Sequence, residues 1–334
     1  MSDSELDYRP HRWLRGGHLQ SVLPSLPGRR PLVERRARPV LEASREILLD
    51  CGEGVRLQAF HAAPRVSRER RSVAVLLHGW EGSARSLYVL SLAQTLFERG
   101  FDVVRLNLRD HGDTHHLNRD LFHSCRLGEM VGAVRRLQWL FADKPLLLAG
   151  FSLGGNFMLR IAAAAPSAGL QLHRAIGVSP VLDPARTLDA LETGWALYRR
   201  YFVLKWSRSL RRKQTHWPGE FDFSRLLDSG DLRRMTDELV LQHSGYSDVR
   251  EYFQGYALTG ERLAGLQVPS VILTALDDPI IPAEDLGRLA RPEALRIQTT
   301  RHGGHCGFFD SLAGPSWADR FILREFESAL RHPS

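Results

Sequence analysis

Cysteine is scarce in this chain. Its three cysteines, Cys51, Cys125 and Cys306, are odd in number, and none stands in CxxC spacing. A disulfide framework needs paired cysteines and a zinc finger needs closely spaced ones, so both classes of protein are excluded. The chain also starts with the polar run MSDSELDYRPHR and not with an apolar signal segment. We therefore expect a protein of the reducing cytoplasm.

Long hydrophobic runs are also missing. Gly, Arg or His interrupts every apolar stretch well before the roughly 18 residues that a membrane-spanning helix needs, so no such helix is expected.

Lysine is scarce as well. The chain contains only Lys144, Lys205 and Lys213, and arginine supplies the rest of the 45 basic residues. The net charge is +7, but the arginines are spread along the chain with acidic residues between them. Because a nucleic-acid-binding protein gathers its positive charge on one face or tail, we expect no nucleic-acid partner.

What the chain does contain is enough apolar residues to form a large core. Of its 334 residues, 43% are apolar and 25% are charged, which excludes a disordered or fibrous protein. The length fits one domain of the size typical of an enzyme, with an insertion.

Strand and helix patterns alternate along most of the chain. Residues 45–62 predict two short strands joined by a glycine-containing turn, and SVAVLL at 72–77 predicts a buried strand. Further strands are predicted at 101–108, 145–149, 175–179, 269–275 and 295–299, and helices at 84–99, 126–141, 153–165 and about 317–330. Such alternation favours parallel pairing with right-handed crossovers. The predicted fold class is therefore α/β, with a doubly wound, mostly parallel sheet.

The alternation stops between residues 183 and 260, where mostly helical patterns rich in aromatic residues and arginine are found. We expect a helical cap at 183–260, inserted into a core made of residues 1–182 and 261–334. Six aromatic side chains of the cap are expected to roof the site with apolar surface: Trp195, Tyr198, Tyr201, Phe202, Trp206 and Trp217.

The strongest chemical signal is the motif GFSLGG at 150–155, which lies between the apolar strand PLLLA and a helical run. A strand-to-helix turn of this kind strains its serine, and only small residues two positions before and after it are accommodated. Here both are glycine. The turn would present the Ser152 hydroxyl above the sheet at a helix N-terminus, whose dipole favours developing negative charge.

A nucleophilic serine needs a histidine that accepts its proton and an acid that orients the histidine. Downstream, the strand PSVILTA runs into Asp277 and Asp278, and a glycine-rich loop after the last strand carries His305. Adjacent residues leaving a strand aim in different directions, so only one of the two aspartates can serve one imidazole. Counting three residues from Ala275 selects Asp278.

The turn that follows the strand SVAVLL has the sequence HGWEGS at 78–83. Its glycine lets the backbone fold back over the site. The backbone N–H groups of Trp80 and Leu153 are the predicted oxyanion-hole donors, since such groups need no reorganisation as charge develops. His78 is expected to brace the turn and not to transfer protons.

These motifs resemble those of the YheT-like family of α/β-hydrolases, to which the ABHD acylglycerol and phospholipid lipases are related. The resemblance covers nearly the whole chain and includes GHLQS at 17–21, HGWEGS at 78–83, NLR at 107–109, ALDDP at 275–279 and GGHCGF at 303–308. It implies an α/β-hydrolase fold and a carboxylic-ester hydrolase. It also implies Ser152 as nucleophile, Asp278 as orienting acid and His305 as base.

Two positions depart from the family pattern. Asp110 stands where many members have glycine, and Ser21 stands where they have threonine. The contacts of these two segments are expected to differ from those of the family, while the triad is untouched. We expect no counterpart of the N-terminal membrane anchor of the eukaryotic relatives, so their lipid substrates are a weak guide to this chain.

Two features of the sequence raise the question of a metal site or a reactive thiol. His111, His115, His116 and His123 follow a strand, but their spacing is not that of metal ligands. We expect no metal and no cofactor, and a role for this loop in substrate access. Cys306 follows the predicted base and is expected to be a packing residue.

The stretch at 197–213 mixes aromatic, aliphatic and basic residues. It is either a cap helix that docks on an anionic lipid surface or a cap helix that covers the site with its arginines in solvent. We favour the second interpretation, and weak peripheral membrane contact stays open.

The predicted function is hydrolysis of short- to medium-chain acyl esters or lipids, with a small-molecule acyl ester as the substrate. Two alternatives use the same fold. An acyltransferase would deliver the acyl group from Ser152 to an alcohol, and a non-catalytic protein would only bind a ligand. The intact set Ser152, Asp278 and His305 counts against the second alternative. The sequence carries no prediction of the oligomeric state.

Overall fold

The computed structural model describes residues 8–64, 72–227, 229–312 and 314–331. Eight strands form one sheet: β1 (Ser44–Asp50), β2 (Arg56–Ala62), β3 (Val73–Leu77), β4 (Asp102–Leu106), β5 (Leu146–Phe151), β6 (Leu172–Val178), β7 (Ser270–Ala275) and β8 (Leu295–Thr300). Their order across the sheet is β1-β2-β4-β3-β5-β6-β7-β8. β2 runs antiparallel to both of its neighbours, and the remaining pairs are parallel. The predicted doubly wound, mostly parallel sheet is confirmed.

The α-helices of the described residues are α1 (Gly17–Val22), α2 (Arg30–Arg36), α3 (Arg38–Glu42), α4 (Leu87–Glu98), α5 (Leu127–Leu140), α6 (Leu153–Ala168), α7 (Pro184–Thr193), α8 (Ala196–His216), α9 (Ser224–Leu227), α10 (Leu232–His243), α11 (Val249–Tyr256) and α12 (Trp317–Arg331). The helix predicted at 84–99 begins only at Leu87, because the preceding residues form a turn in which the Ser83 N–H donates to Ser86 Oγ. The first three helices have no counterpart among the predicted elements. None of the described helices combines the length and apolar character needed to cross a bilayer.

The core consists of two layers, one on each face of the sheet. Side chains alternate along a strand, so Val75 and Leu77 of β3 pack with α5 and α6, whereas Ala74 and Leu76 pack with α4 and α12. Every residue of β3 is buried, which agrees with its continuous apolar sequence. The sheet is thus covered by helices on both faces.

The topology brings the predicted site residues to one edge of the sheet. The carboxyl ends of parallel strands point the same way, and β3, β5, β7 and β8 lead into the segments that carry Trp80, Ser152, Asp278 and His305. Helices α7 to α11 lie between β6 and β7, where the insertion was expected. We propose that residues 183–260 form the cap over this edge.

Candidate active site

Ser152 stands between the end of β5 and the start of α6. Its backbone has φ +54° and ψ −120°, a strained conformation for a residue with a side chain. The flanking glycines are sterically required: a Cβ on Gly150 would lie 2.3 Å from the Gly154 carbonyl oxygen, and one on Gly154 would lie 2.3 Å from that of His78. The Ser152 N–H donates to the Val178 carbonyl at 2.8 Å, which ties the turn to β6. The local sequence therefore produces the sharp turn that the motif predicts.

His305 and Asp278 form a hydrogen-bonded pair whose side chains are 11% and 0% exposed. The His305 Nδ1–H group donates to Asp278 Oδ2 at 2.9 Å. The other carboxylate oxygen, Oδ1, accepts from the N–H groups of Ile280 and Ile281 at 2.9 and 3.0 Å. Because both oxygens are engaged, the carboxylate has one orientation, and it holds the tautomer of His305 that leaves Nε2 able to accept a proton.

The surroundings of His305 act on its pKa in opposite directions. Burial disfavours the charged imidazolium, while Cys306 and the hydrogen-bonded Asp278 carboxylate favour it, and the net effect raises the pKa of His305 well above its ordinary value. The pair thus stabilises a proton on the imidazole.

Asp277 has a different partner from Asp278. Its Oδ1 accepts from the Gly304 N–H at 2.8 Å. Asp277 therefore connects the loop after β7 to the backbone of the loop that carries His305. The described hydrogen bonds join His305 to Asp278 and not to Asp277. This geometry supports the choice of Asp278 made from the sequence.

The turn after β3 lies against the serine. A Cβ on Gly79 would lie 3.1 Å from the Ser152 Cβ, so this glycine permits the close approach. His78 is fully buried, donates through Nδ1 to the Gly79 carbonyl at 2.7 Å and accepts at Nε2 from the Leu108 N–H. Its two nitrogens are therefore occupied by the backbone, as expected of a residue that braces the turn. Leu153 is the first residue of α6, where N–H groups have no partner within the helix.

A cavity of about 140 Å³ opens at this edge of the sheet, and Ser152, His305, Trp80 and Leu153 all line it. Of the six aromatic residues predicted to roof the site, only Phe202 and Trp206 do so, and both pack against Trp80 with ring centroids 5.1 and 5.0 Å away. The sequence analysis missed a large part of the remaining apolar wall, which comes from α7, α10 and α11 and includes Leu188, Leu191, Leu239, Val240, Tyr252, Phe253 and Tyr256.

The other four predicted roof residues point elsewhere, which corrects that expectation. Trp195 and Tyr201 are 48% and 39% exposed. Tyr198 turns its hydroxyl to His18 Nδ1 at 2.9 Å, and the Trp217 indole N–H donates to the His115 carbonyl. Tyr198 and Tyr201 lie on faces of α8 that turn away from the cavity, while Trp195 and Trp217 lie just outside the two ends of this helix.

One corner of the cavity is polar. Lys213 of α8 is buried and its Nζ donates to Asp110 Oδ1 at 2.9 Å and to the Asn118 carbonyl at 2.5 Å. Asp110 has φ +56°, a value that favours glycine, which agrees with the glycine expected there from the family pattern. The aspartate thus anchors helix α8 to the loop after β4.

The four histidines of that loop do not converge. The His111 Nδ1–H donates to the Arg109 carbonyl, His115 Nε2 contacts Ser209 Oγ, and the His116 ring lies tilted against that of His216. His115 and His123 line the cavity, and burial lowers the pKa of each to about 3, so both are neutral at physiological pH. Within the described ranges, no group of three or more His, Cys, Asp or Glu side chains is placed so that it could hold a metal ion.

Comparisons with known proteins agree with this architecture. A family model described as alpha/beta hydrolase fold matches residues 74–312. The chain is 28% identical over 313 residues to YheT of Escherichia coli (strain K12), named as a candidate esterase, with 91% of this chain and 88% of that protein covered. It is 22% identical over 337 residues to phospholipase ABHD3 of Mus musculus, with 97% and 78% covered.

Solved structures show the same fold. The esterase PF2001 of Pyrococcus furiosus superposes with a TM-score of 0.57 at 13% identity, covering 86% of this chain and 90% of that one. The 2,6-dihydroxy-pseudo-oxynicotine hydrolase does so with a TM-score of 0.57 at 17% identity, covering 90% and 70%. Because the family match spans residues 74–312 and the sheet order agrees with it, the chain belongs to the alpha/beta hydrolase fold family, as its motifs indicated.

Proposed function

We propose that this protein is a serine carboxylic-ester hydrolase that works through Ser152, His305 and Asp278. One observation carries the proposal: a strained serine at a strand-to-helix turn lines the same cavity as a histidine that is hydrogen-bonded to a buried aspartate. Each residue type has a defined role in acyl transfer, and few other reactions use all three. The names of the relatives, a phospholipase and a candidate esterase, support the same reaction class.

In this mechanism the Ser152 hydroxyl attacks the ester carbonyl while His305 Nε2 accepts its proton. The N–H groups of Trp80 and Leu153 stabilise the oxyanion that forms on the carbonyl oxygen. Collapse of this intermediate expels the alcohol, which takes the proton from His305, and leaves an acyl ester on Ser152. Water then attacks the acyl-enzyme and gives a proton to His305, and the carboxylic acid is released as His305 returns that proton to the Ser152 oxygen.

We propose short- to medium-chain acyl esters or lipids as substrates, because apolar side chains from both the core and the cap dominate the cavity wall. Each methylene that leaves water contributes roughly 0.8 kcal/mol. An acyl chain in this cavity therefore gains binding with length until the cavity is full, whereas a charged ester would lose its hydration with little compensation.

A series of p-nitrophenyl esters from acetate to decanoate tests the acyl-chain preference. We expect kcat/KM to rise about tenfold for each two added carbons at the start of the series and then to level off. Measurements below the concentration at which the esters aggregate keep the comparison to single molecules. A steady fall from acetate onward would mean that the cap closes a small site, and the substrate class would have to be abandoned.

An acyltransferase with the same acyl-enzyme is the alternative, since only the acceptor in the second step differs. Product analysis with and without an added alcohol separates the two reactions. Transfer of most acyl groups to the alcohol at low alcohol concentration would favour the acyltransferase.

The outward face of α8 supports weak contact with an anionic lipid surface. Leu197, Tyr201 and Leu204 recur at helical spacing and are 45%, 39% and 55% exposed, with Arg200 and Arg208 beside them. The helix contains no acidic residue. This combination of exposed apolar and basic side chains is typical of surfaces that bind at the membrane interface.

We also propose a reducing compartment such as the cytoplasm, which the free thiols of Cys51, Cys125 and Cys306 support.

Co-sedimentation with vesicles tests the lipid contact. We expect binding to vesicles that contain phosphatidylglycerol, little binding to pure phosphatidylcholine, and a loss of binding as salt screens the arginines. Leu204→Glu is expected to weaken binding, and Leu48→Glu, at a similarly exposed site on β1, serves as the matched control. Equal binding of both variants would exclude α8 as the contact.

A further inference from the structure

The loop that carries His305 has little conformational preference of its own. Residues 301–309, called the base loop below, contain three glycines, and Gly303, Gly304, Cys306 and Phe308 all have positive φ. Glycine-rich backbone populates many conformations when nothing restrains it. A general base, however, has to be held close to its productive geometry. The restraint on this loop has to come from contacts with other parts of the chain.

Ser21 of α1 supplies one such contact directly at the base. The His305 backbone N–H donates to Ser21 Oγ at 2.8 Å, and the same hydroxyl donates to the Gly17 carbonyl at 2.7 Å. The hydroxyl is therefore donor and acceptor at once. It joins the backbone of His305 to a helix that lies 284 residues earlier in the chain.

The neighbouring Gln20 holds the loop on the other side of His305. Gln20 is fully buried, and its side chain both accepts from the Phe309 N–H and donates to the Phe309 carbonyl, each at 2.8 Å. The segment also passes close to the loop glycines, since a Cβ on Gly304 would lie 2.2 Å from the Gly17 carbonyl oxygen. Residues 17–21 thus contact the base loop before, at and after His305.

The same segment contacts two more parts of the site. A Cβ on Gly17 would lie 2.3 Å from the carbonyl oxygen of Asp277, the neighbour of the proposed acid. His18 reaches the cap through the hydroxyl of Tyr198 at 2.9 Å. The segment therefore packs among the acid, the base and the cap.

We propose that Ser21 is a positioning residue for His305, with residues 17–21 holding the base loop in its working geometry. Ser21 acts through the backbone of His305 and makes no contact with the acyl group. The proposal rests on the ester-hydrolase function proposed above.

Substitution of Ser21 tests the proposal. Ser21→Ala is expected to lower kcat by about 10- to 100-fold with KM little changed, because a misplaced base slows the chemical step more than it weakens binding. Ser21→Thr keeps the hydroxyl and is expected to retain most of the activity. Ser21→Val has the shape of threonine without the hydroxyl and is expected to behave like the alanine variant. Ser25→Ala, at an exposed serine of the same region, is the control.

The outcomes separate this proposal from the function itself. If the unaltered protein neither hydrolyses esters nor reacts with a fluorophosphonate, the proposed function fails. If it does both, equal kcat for the threonine and valine variants, or full kcat for the alanine variant, overturns the role of Ser21. Thermal unfolding of each variant shows whether it is folded at the assay temperature. If the Ser21→Ala and Ser21→Val variants both fail to fold, amide hydrogen exchange is measured on the unaltered protein instead. The His305 amide is expected to exchange slowly, and rapid exchange contradicts the proposal.

Discussion

Ser152→Ala is expected to lower kcat for ester hydrolysis by on the order of 10⁶, while KM changes little. The reason is chemical, since without the hydroxyl no acyl-enzyme forms and His305 has no proton to accept. The proposed oxyanion-hole donors and the cavity remain in place, so a small residual rate above that in water is expected. Steady-state kinetics on the best p-nitrophenyl ester measures the loss. Ser167→Ala, at the exposed far end of the same helix α6, is the matched control and should retain the unaltered rate.

Covalent labelling tests the same residue without relying on a loss of activity. A fluorophosphonate should form its adduct on Ser152, and peptide mapping locates it. Ser124, Ser209 and Ser244 line the same cavity but lie outside the strained turn. An adduct on any of these, or Ser152→Ala with most of its activity intact, would contradict the assignment of the nucleophile.

The sheet could be predicted because its signals are local. β3 is a continuous apolar run of five residues and β7 is mostly apolar; both are buried throughout, and such runs indicate central parallel strands. The turn at Ser152 is equally local. Gly150 and Gly154 are needed because any Cβ there would collide with nearby backbone, so the steric requirement is visible as a sequence pattern.

The contacts that complete the site could not be predicted, because they join residues that are distant in the chain. Nothing in the sequence near Ser21 indicates that its hydroxyl accepts from His305. Lys213 is one of several basic residues in α8, and only the fold shows that it turns inward to Asp110 while Arg211 stays exposed. Charge patterns give the number of basic residues on a helix but not the partner that one of them meets.

The cavity wall shows the same limit. Leucines of α7 and tyrosines of α11 have the spacing of any amphipathic helix. The sequence therefore indicates that these side chains are buried, but it does not identify the residues that they contact. Conversely, α8 has so many aromatic residues that all of them were expected to cover the site. The structure divides them between the cavity, the N-terminal segment and solvent, because a helix presents different residues to each of its neighbours.

Asp278→Asn is expected to lower kcat by about 10⁴, and Asp277→Asn by far less. Asp278 Oδ1 accepts two backbone N–H groups, so the carbonyl oxygen of an asparagine would stay with them and its NH₂ would face His305. That NH₂ can only donate, which forces His305 into the tautomer whose Nε2 already carries a proton and cannot accept one from Ser152. Asp277 meets the Gly304 N–H, a contact that an asparagine carbonyl can keep. If Asp277→Asn proves the more damaging change in folded protein, the assignment of the acid is wrong.

The pH dependence of the two variants provides a second, independent measurement. His305 acts as a base only when it is neutral, and its neighbours raise its pKa. The kcat/KM of the unaltered enzyme should therefore rise with pH, and the midpoint of this rising limb should lie above the ordinary histidine pKa of about 6.5. In Asp278→Asn the burial that lowers the pKa of His305 and the contribution of Cys306 that raises it both remain, while the contribution of the Asp278 carboxylate is gone. The rising limb of the residual activity should therefore move to lower pH. Asp277→Asn leaves the hydrogen bond between His305 and Asp278 intact, so its limb should stay near that of the unaltered enzyme. A limb that moves in Asp277→Asn and stays in Asp278→Asn would assign the orienting carboxylate to Asp277.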